Sequence, residues 1–328
     1  MKPMAAKTKF SLSDLKPNRE KARKYLLGSK DREGIIPQVV KYVLLIGIGF
    51  IYIYPLLYMI STSLMPLEDL LDTSVHWIPS QFYLENYRKA MNAMKFFDSL
   101  LDSIVIAGIP TLIQMVVCAF VGYGFARFDF KGKKIMMAIL IFSFILPPQI
   151  TMMPTYVLYT DLKLIGSVKS FIFPAILGQG LKSQIFILIY YQFFRQVPQA
   201  LIEAALIDGA GYFKSFLRIA VPSAGPAILV VFLFSVVWYW NESYLATLYI
   251  TGTGSARNTS LATLVVQLKN FDDNYQAYNQ SGQEQMGNIN ESIKMAGTML
   301  SILPLLLMYA FMQKQFVESV DRTGITGE

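Results

Sequence analysis

The sequence is poor in charge and has one cysteine and one histidine. Asp, Glu, Lys and Arg make up 16% of its 328 residues, whereas about a quarter is usual for a soluble domain. Cys118 and His76 are single, so an internal disulfide and a zinc site of three or four Cys or His ligands are excluded. Cys118 lies deep in an apolar run, which argues against a catalytic Cys–His pair. We predict no catalytic residue and no metal site, with Cys118 in packing and His76 at the surface.

The chain is instead rich in apolar residues, which make up 54% of it and give a mean hydropathy of +0.42. A helix needs about 20 apolar residues to cross a hydrocarbon layer roughly 30 Å thick. Five charge-free stretches and one interrupted only by Lys182 meet that length: 42–63, 103–126, 135–160, 170–194, 219–241 and 295–313. We therefore predict an all-α polytopic membrane protein with six transmembrane helices. Prolines inside several stretches weakly favour a transporter over a simple anchor.

The positive charge is unevenly divided between the two sides of these stretches. The net charge is +7, with 29 basic and 22 acidic residues. Twenty of the basic residues lie on one side, in 1–41, 126–134, 192–218 and the tail after Phe311. Seven lie on the other side, in 64–101, 161–169 and 246–290. Since Lys and Arg favour the cytoplasmic side, both termini are predicted inside, and the basic excess does not indicate nucleic-acid binding.

Three divisions of the chain follow. Residues 1–38 are polar and basic and lack the short apolar region of a cleavable signal peptide, so we expect a disordered cytoplasmic tail. Whether this tail contacts anionic lipid headgroups is left open. Residues 39–318 are predicted to form the transmembrane domain, and 319–328 a cytoplasmic C-terminal tail.

One cytoplasmic segment, 195–221, is patterned like a folded element between the fourth and fifth helices. Pro198 is placed to begin a helix, where its missing N–H costs nothing. A short helix is predicted over 199–208, and Gly209 and Gly211 are expected to permit a sharp turn that most side chains would forbid. A second short helix is predicted before Pro222.

This segment resembles the EAA loop of the permeases of ABC importers, the binding-protein-dependent, MetI-like superfamily. The matching residues are Glu203, Ala204, Ala205, Asp208, Gly209, Ala210, Ile219 and Pro222. Val221 stands where the family has Leu and leaves the spacing intact. The wider string from Arg195 to Pro226 is similar to the carbohydrate-uptake branch, in particular its six-helix MalG-type subunit. The resemblance covers about 38–318.

The resemblance implies a role for each part of the loop. The EAA helix would dock in a cleft of a separate ATP-hydrolysing subunit and transmit its closure to the membrane helices. Glu203 would bond to that subunit or brace its own loop, Gly209 would set the turn, and Ala204 and Ala205 would pack closely. The chain has no G-x-x-x-x-G-K-[ST] phosphate loop, so ATP and Mg are expected in the partner and no cofactor in this chain.

The implied assembly is a multi-pass importer in the bacterial inner membrane. Its partners would be a MalF-type second permease as heterodimer, two ATP-binding subunits, an extracytoplasmic solute-binding protein and the lipid bilayer, with no nucleic acid. The implied substrate is carbohydrate, oligosaccharide in particular, with glycerol phosphate or another polar solute as the alternative. A secondary transporter is the distant alternative, since it would need charged relay residues in its spans.

The candidate pathway residues are Tyr239, Trp240, Asn241, Glu242 and Gln114. Aromatic faces stack on sugar C–H surfaces, and amides or carboxylates bond to hydroxyl groups. The competing interpretation places Tyr239 and Trp240 in an interfacial aromatic belt and Asn241 as a helix cap. Lys182 could extend to the headgroups, pair within the bundle or line the substrate path. The external segment 251–290 either contacts the binding protein or is a solvated insertion.

Overall fold

The computed structural model describes residues 26–29, 32–72, 74, 77–251, 261–280 and 287–325, the last ten of these as backbone alone. The expectations for residues 1–25, for His76 and for parts of the external segment, 252–260 and 281–286, lie outside the described residues. Two compact units divide at Ser61 and Thr62.

The described residues are almost entirely helical, which confirms the predicted all-α class for this part of the chain. One antiparallel pair of two-residue strands, β1 Gly28–Ser29 and β2 Arg32–Glu33, precedes the helices. The α-helices up to the loop are α1 Ile35–Ser63, α2 Leu67–Leu71, α3 Glu85–Ala93, α4 Phe96–Arg127, α5 Lys133–Ile145, α6 Pro148–Asp161, α7 Lys169–Ile176, α8 Ser183–Gln196 and α9 Gln199–Ile207. After it come α10 Tyr212–Ser215, α11 Val221–Ser223, α12 Gly225–Asn241, α13 Tyr244–Ala246, α14 Leu264–Lys269, α15 Phe271–Gln280 and α16 Glu291–Ile325, with π-helical turns at Phe216–Ala220 and Thr247–Thr251.

Three single helices are long and apolar enough to cross a membrane. They are α1, α4 and the part of α16 over Glu291–Gln315. They contain the predicted spans 42–63, 103–126 and 295–313. Helix α1 makes up most of the described part of the first unit, and most of the apolar side chains along its length are exposed. Helix α16 runs on to Ile325, past the predicted domain limit at 318.

Two further predicted spans are bent pairs of helices, which raises the number of membrane-capable elements to as many as five. Helices α5 and α6 meet at 99°, and the segment Tyr212–Ser223 meets α12 at 77°. The first bend has a local cause. Leu146 and Pro147 both adopt extended backbone angles, because a proline disfavours the helical conformation of the residue before it and each is followed by one. The predicted span 135–160 therefore bends at this dipeptide.

The remaining predicted span, 170–194, is interrupted in the structure. It is divided into α7 and α8 by the non-helical residues 177–182, in which Gly178 and Lys182 have positive φ. Neither helix alone has the length of a span, so the count of six crossings stays a prediction.

Helix α4 is the central element of the second unit and packs against α7, α8 and α12. Its approach to α8 depends on Gly122, where an added Cβ would lie 2.6 Å from Cβ of Tyr190. Cys118 is fully buried on the same helix, which confirms its predicted role in packing. The loop over 195–221 and the break between α7 and α8 both contact α4.

Candidate coupling loop and pathway residues

The helix predicted in the loop over 195–221 is present and begins and ends as its sequence suggests. Val197 and Pro198 are extended, and α9 starts directly after them at Gln199. At its end the amide of Ala210 donates to the carbonyl of Ala205 at 2.9 Å. Gly209 there has φ +80°, a left-handed conformation that glycine adopts without strain.

Gly211 does not share this requirement. Its φ is −71°, and an added Cβ would have nothing within 4 Å. The expectation that both glycines are needed for the turn is therefore wrong for Gly211, because only Gly209 has the backbone conformation that excludes other residues. Gly211 instead sits at the start of α10.

The outer face of α9 offers an apolar surface. Leu201 is 50% exposed and Ile207 is 86% exposed, and Ala204 between them is exposed as well. Ile202 is buried and holds the opposite face of the helix against the protein. Exposed apolar side chains on a short helix of a folded unit are typical of a contact surface for another protein.

The other residues of the motif occupy different positions. Glu203 and Asp208 are exposed, and Oε1 of Glu203 accepts a 2.9 Å hydrogen bond from Nε2 of Gln199, one turn earlier on α9. Ala205 and Ala210 are half-buried. Further on, Ile219 is half-buried within the π-helical turn, and Pro222 is exposed in α11.

Both ends of the loop are attached to α4. At its start, the Arg127 guanidinium at the end of α4 donates to the carbonyl of Val197. At its far end, the buried Phe216 ring packs against Tyr123 and Phe120, with ring centroids 4.8 and 4.6 Å apart. A displacement of α9 would therefore be felt by α4. The sequence analysis missed Arg127, although a basic residue ending an apolar helix beside the loop was a signal.

Two of the five candidate pathway residues come together at the other structure, the break between α7 and α8. The Tyr239 hydroxyl donates to Oε1 of Gln114 at 2.7 Å. Nε2 of Gln114 donates to the carbonyl of Leu181 at 2.7 Å, and the Leu181 amide donates to the Tyr239 hydroxyl at 3.1 Å. We call this set of three residues the clasp. It fixes both backbone groups of one residue in the break.

The clasp closes around a glycine. A Cβ on Gly180 would lie 2.3 Å from Oε1 of Gln114 and 2.5 Å from the Tyr239 hydroxyl. Sequence reasoning identified Gln114 and Tyr239 separately and missed Leu181 and Gly180. The available signal was Gly178-Gln179-Gly180 followed by Lys182 in an otherwise apolar stretch.

The other three candidate pathway residues lie apart from the clasp. Trp240 is buried, and its Nε1 donates to the carbonyl of Ser301 on α16 at 3.2 Å. Asn241 is exposed at the end of α12 and donates to the carbonyl of Val237 at 2.9 Å. Oε1 of Glu242 accepts from the amide of Leu245 at 2.9 Å. These contacts are within the protein, and the rings of Tyr239 and Trp240 are both buried in it.

Comparison with protein families gives a match over most of the chain. The family model described as "Binding-protein-dependent transport system inner membrane component" matches residues 89–322. The match includes the loop helix, the clasp and all five candidate pathway residues.

Relatives of known name are similar over nearly their full lengths. The osmoprotective compounds uptake permease protein GgtD of Synechocystis is 29% identical over 85% of this chain and 89% of its own. The polygalacturonan/rhamnogalacturonan transport system permease protein YtcP of Bacillus subtilis is 27% identical over 87% and 96%. The arabinooligosaccharides transport system permease protein AraQ of Halalkalibacterium halodurans is 26% identical over 88% and 98%.

The fold has a counterpart among solved structures. A chain of a bacterial ABC transporter involved in the import of the acidic polysaccharide alginate superposes with a TM-score of 0.69. It is 20% identical, and the match covers 86% of this chain and 96% of that one. At this identity the likeness establishes the fold.

Proposed function

We propose, from the premise that this chain belongs to the family of binding-protein-dependent transport system inner membrane components, that it is a permease subunit of an ATP-driven importer of carbohydrate, oligosaccharide in particular. It forms half of the translocation pore and does not itself hydrolyse ATP. The observation that carries this proposal is the loop over 195–221, which contains an exposed apolar helix and is attached at both of its ends to the central helix α4.

The loop has the features that a mechanical connection needs. Leu201, Ala204 and Ile207 supply an apolar face for a cleft of the ATPase subunit, and Gly209 sets the direction of the chain after the helix. Closure of the ATPase dimer would move α9, and the contacts of Arg127 and Phe216 would pass that movement to α4. Because α4 also holds the clasp, one rigid element connects the loop to the interior of the bundle.

The remaining subunits of the importer are other chains. We propose a MalF-type second permease, two subunits that bind ATP and Mg, and an extracytoplasmic solute-binding protein as partners. Both termini would be cytoplasmic, which is supported by the excess of Lys and Arg on that side of the apolar stretches.

Carbohydrate is favoured by the relatives, whose names include transport of polygalacturonan/rhamnogalacturonan and arabinooligosaccharides. Another relative is named for osmoprotective compounds, so the family does not fix the solute. Glycerol phosphate or another polar solute remains the alternative. Reconstitution with the partner subunits tests this directly, by measuring which loaded binding protein stimulates ATP hydrolysis. Stimulation only by a solute that is not a sugar would refute the carbohydrate assignment.

The coupling role is tested by Glu203→Lys and Gly209→Asp. Both residues are at exposed positions on the loop, so insertion and assembly of the protein should be retained. Uptake should fall to background, because the first variant reverses a charge on the exposed part of α9 and the second adds a charged side chain at the turn that ends this helix. Uptake is measured in proteoliposomes, with Gly211→Ala as the control. Normal uptake in both variants would show that the loop does not couple the two subunits.

A further inference from the structure

We infer a binding site for a sugar carboxylate at Lys182 and Gln179, in the break between α7 and α8, which makes the transported substrate an acidic, uronate-containing oligosaccharide. The inference rests on the proposed function and narrows its substrate class. Four observations carry it: the depth of the break, the exposure of the two side chains, their lack of partners in the described part of the chain, and the rigidity of the backbone that holds them.

The depth of the break follows from the clasp. Leu181 is bonded to Gln114, and Gln114 lies in the middle of the charge-free stretch of α4. The nearest charged residues on that helix are Asp102 and Arg127, which at 1.5 Å per residue lie about 18 Å and about 20 Å away along the axis. Leu181 and its neighbour Lys182 are therefore close to the midplane of the bilayer.

At that depth an exposed lysine needs a polar surrounding. The midplane is roughly 15 Å from either edge of the hydrocarbon layer, and a lysine side chain extends about 6 Å, too short to reach the headgroups. A charged group facing lipid there is costly, and such residues face a cavity or a partner group. Lys182 and Gln179 are both exposed, so within the assembled pore they must line water or contact a polar group.

Neither side chain is used inside this chain. Among the residues that the structure describes, Lys182 has no acidic partner and Gln179 has no side-chain hydrogen bond. The backbone N–H of Gln179 donates to the carbonyl of Pro174 at 2.8 Å, which leaves its side-chain amide unbonded within the described residues. The ammonium group and the amide on either side of Gly180 are therefore available to a ligand.

The backbone that presents these groups is fixed. Lys182 has φ 57°, one of three positive values at non-glycine residues in the described part of the chain. The adjacent Leu181 is held through both its N–H and its carbonyl by the clasp. A strained conformation persists only where the surroundings over-determine it, and such positions cluster at functional sites. The backbone at Lys182 is thus held at a defined place, from which the exposed side chain extends.

The chemistry of the pair indicates its ligand. A lysine ammonium is a compact point charge that binds a carboxylate, and the attraction grows as the surrounding dielectric constant falls. An amide can bond to carboxylate or hydroxyl groups beside it. A neutral sugar would give the lysine no compensation for its desolvation, whereas a uronate would. The site therefore selects for substrates with a carboxylate on the sugar ring.

Charge removal tests the inference in the complete reconstituted importer. The substrates are a uronate trisaccharide and its methyl ester, which has the same skeleton without the charge. Lys182→Met should lower uptake of the acid by at least about tenfold and leave uptake of the ester within about twofold. Lys163→Met is the matched control, because Lys163 is also exposed with φ 55° but lies in the outer loop. It should transport both compounds normally.

Chemical rescue distinguishes charge from size. The chain has one native cysteine, Cys118, which is buried, so a Lys182→Cys variant can be modified selectively. An aminoethyl methanethiosulfonate reagent restores an ammonium group and should restore uptake of the acid. The sulfonatoethyl reagent installs an anion and should not. Equal rescue by both reagents, or by neither, would overturn the inference.

The outcomes separate this inference from the proposed function. Uptake of neutral oligosaccharides alone by the unmodified importer would overturn the carboxylate site and leave the carbohydrate importer standing. Uptake of neither class would overturn both. If Lys182→Met lowers uptake of acid and ester equally, or if neither the Met nor the Cys variant assembles, the lysine pairs with a partner subunit and the inference fails.

Discussion

The loop over 195–221 and the break between α7 and α8 are both glycine-containing interruptions of helices, and both are attached to α4, yet they are built in opposite ways. The loop helix exposes apolar side chains such as Ile207 and has one exposed side-chain bond, between Gln199 and Glu203. The break buries polar groups, and Gln114 and Tyr239 satisfy one another and the backbone of Leu181.

The difference teaches what each interruption does. A surface that binds a partner protein exposes apolar side chains in the free protein, and burying them in the complex stabilises the complex. Backbone groups that a break frees and that are buried inside a membrane domain have no water to bond, so neighbouring side chains must bond them. We therefore expect changes in the break to alter stability first and changes in the loop to alter transport first.

The largest effect on stability should come from Gly180→Ala. The new methyl group would overlap with Gln114 and Tyr239 and would lie 3.2 Å from Cα of Ala175, which is backbone and cannot yield easily. Overpacking together with a broken buried bond should lower the free energy of unfolding by about 3 kcal/mol or more. Thermal unfolding of the purified complex measures this. Gly211→Ala is the control. Equal loss of stability in the two variants would show that the break is no more closely packed than the loop.

A smaller loss of stability is expected for Gln114→Leu, which approximately keeps the volume of the side chain and removes both of its polar atoms. The Tyr239 hydroxyl would lose its acceptor and the Leu181 carbonyl its donor. The free energy of unfolding should fall by about 2 kcal/mol. A cycle with Tyr239→Phe should show that the two changes are not additive, since they remove a shared bond. Strictly additive losses of unfolding free energy would show that Gln114 and Tyr239 do not share a hydrogen bond.

The smallest effect is expected for Gln199→Ala in the loop. This exposed bond one turn apart contributes about 0.2 to 0.5 kcal/mol, so the unfolding temperature should hardly change. Uptake in proteoliposomes then distinguishes the two roles left open for Glu203. Normal uptake in Gln199→Ala beside a loss in Glu203→Lys would show that Glu203 acts on the ATPase subunit. A loss in both would show that it braces its own loop.

The sequence predicted the loop well because its signals are local. Pro198 before a helical run and Gly209 after it specify the start and the end of α9 through the conformations of single residues. Gly211 was assigned the same role by type alone, and the structure shows an ordinary extended residue there.

The spans were predicted less evenly. Stretches 42–63, 103–126 and 295–313 form single helices although each contains one proline, since a long apolar run favours a spanning helix and transmembrane helices tolerate a proline. The stretch 170–194 is also long and apolar but contains Gly178, Gly180 and Lys182, and it is interrupted after Ile176. Its non-helical residues are tolerated because α4 and α12 supply Gln114 and Tyr239 to the freed backbone, and those contacts join residues far apart in the chain.

The scarcity and distribution of charge thus determined by themselves that this is a helical membrane protein, and the motif between two apolar stretches determined its family. Membrane insertion depends on the free energy of transferring apolar side chains from water into lipid, and the loop depends on the backbone preferences of single residues. Both can be read from composition and from the spacing of residues along the chain. Only the tertiary structure decided that Gln114 and Tyr239 hold one backbone segment and that Lys182 beside it stays unpaired in the described part of the chain. Both depend on which distant residues meet across helices, where polar groups buried from water must find partners.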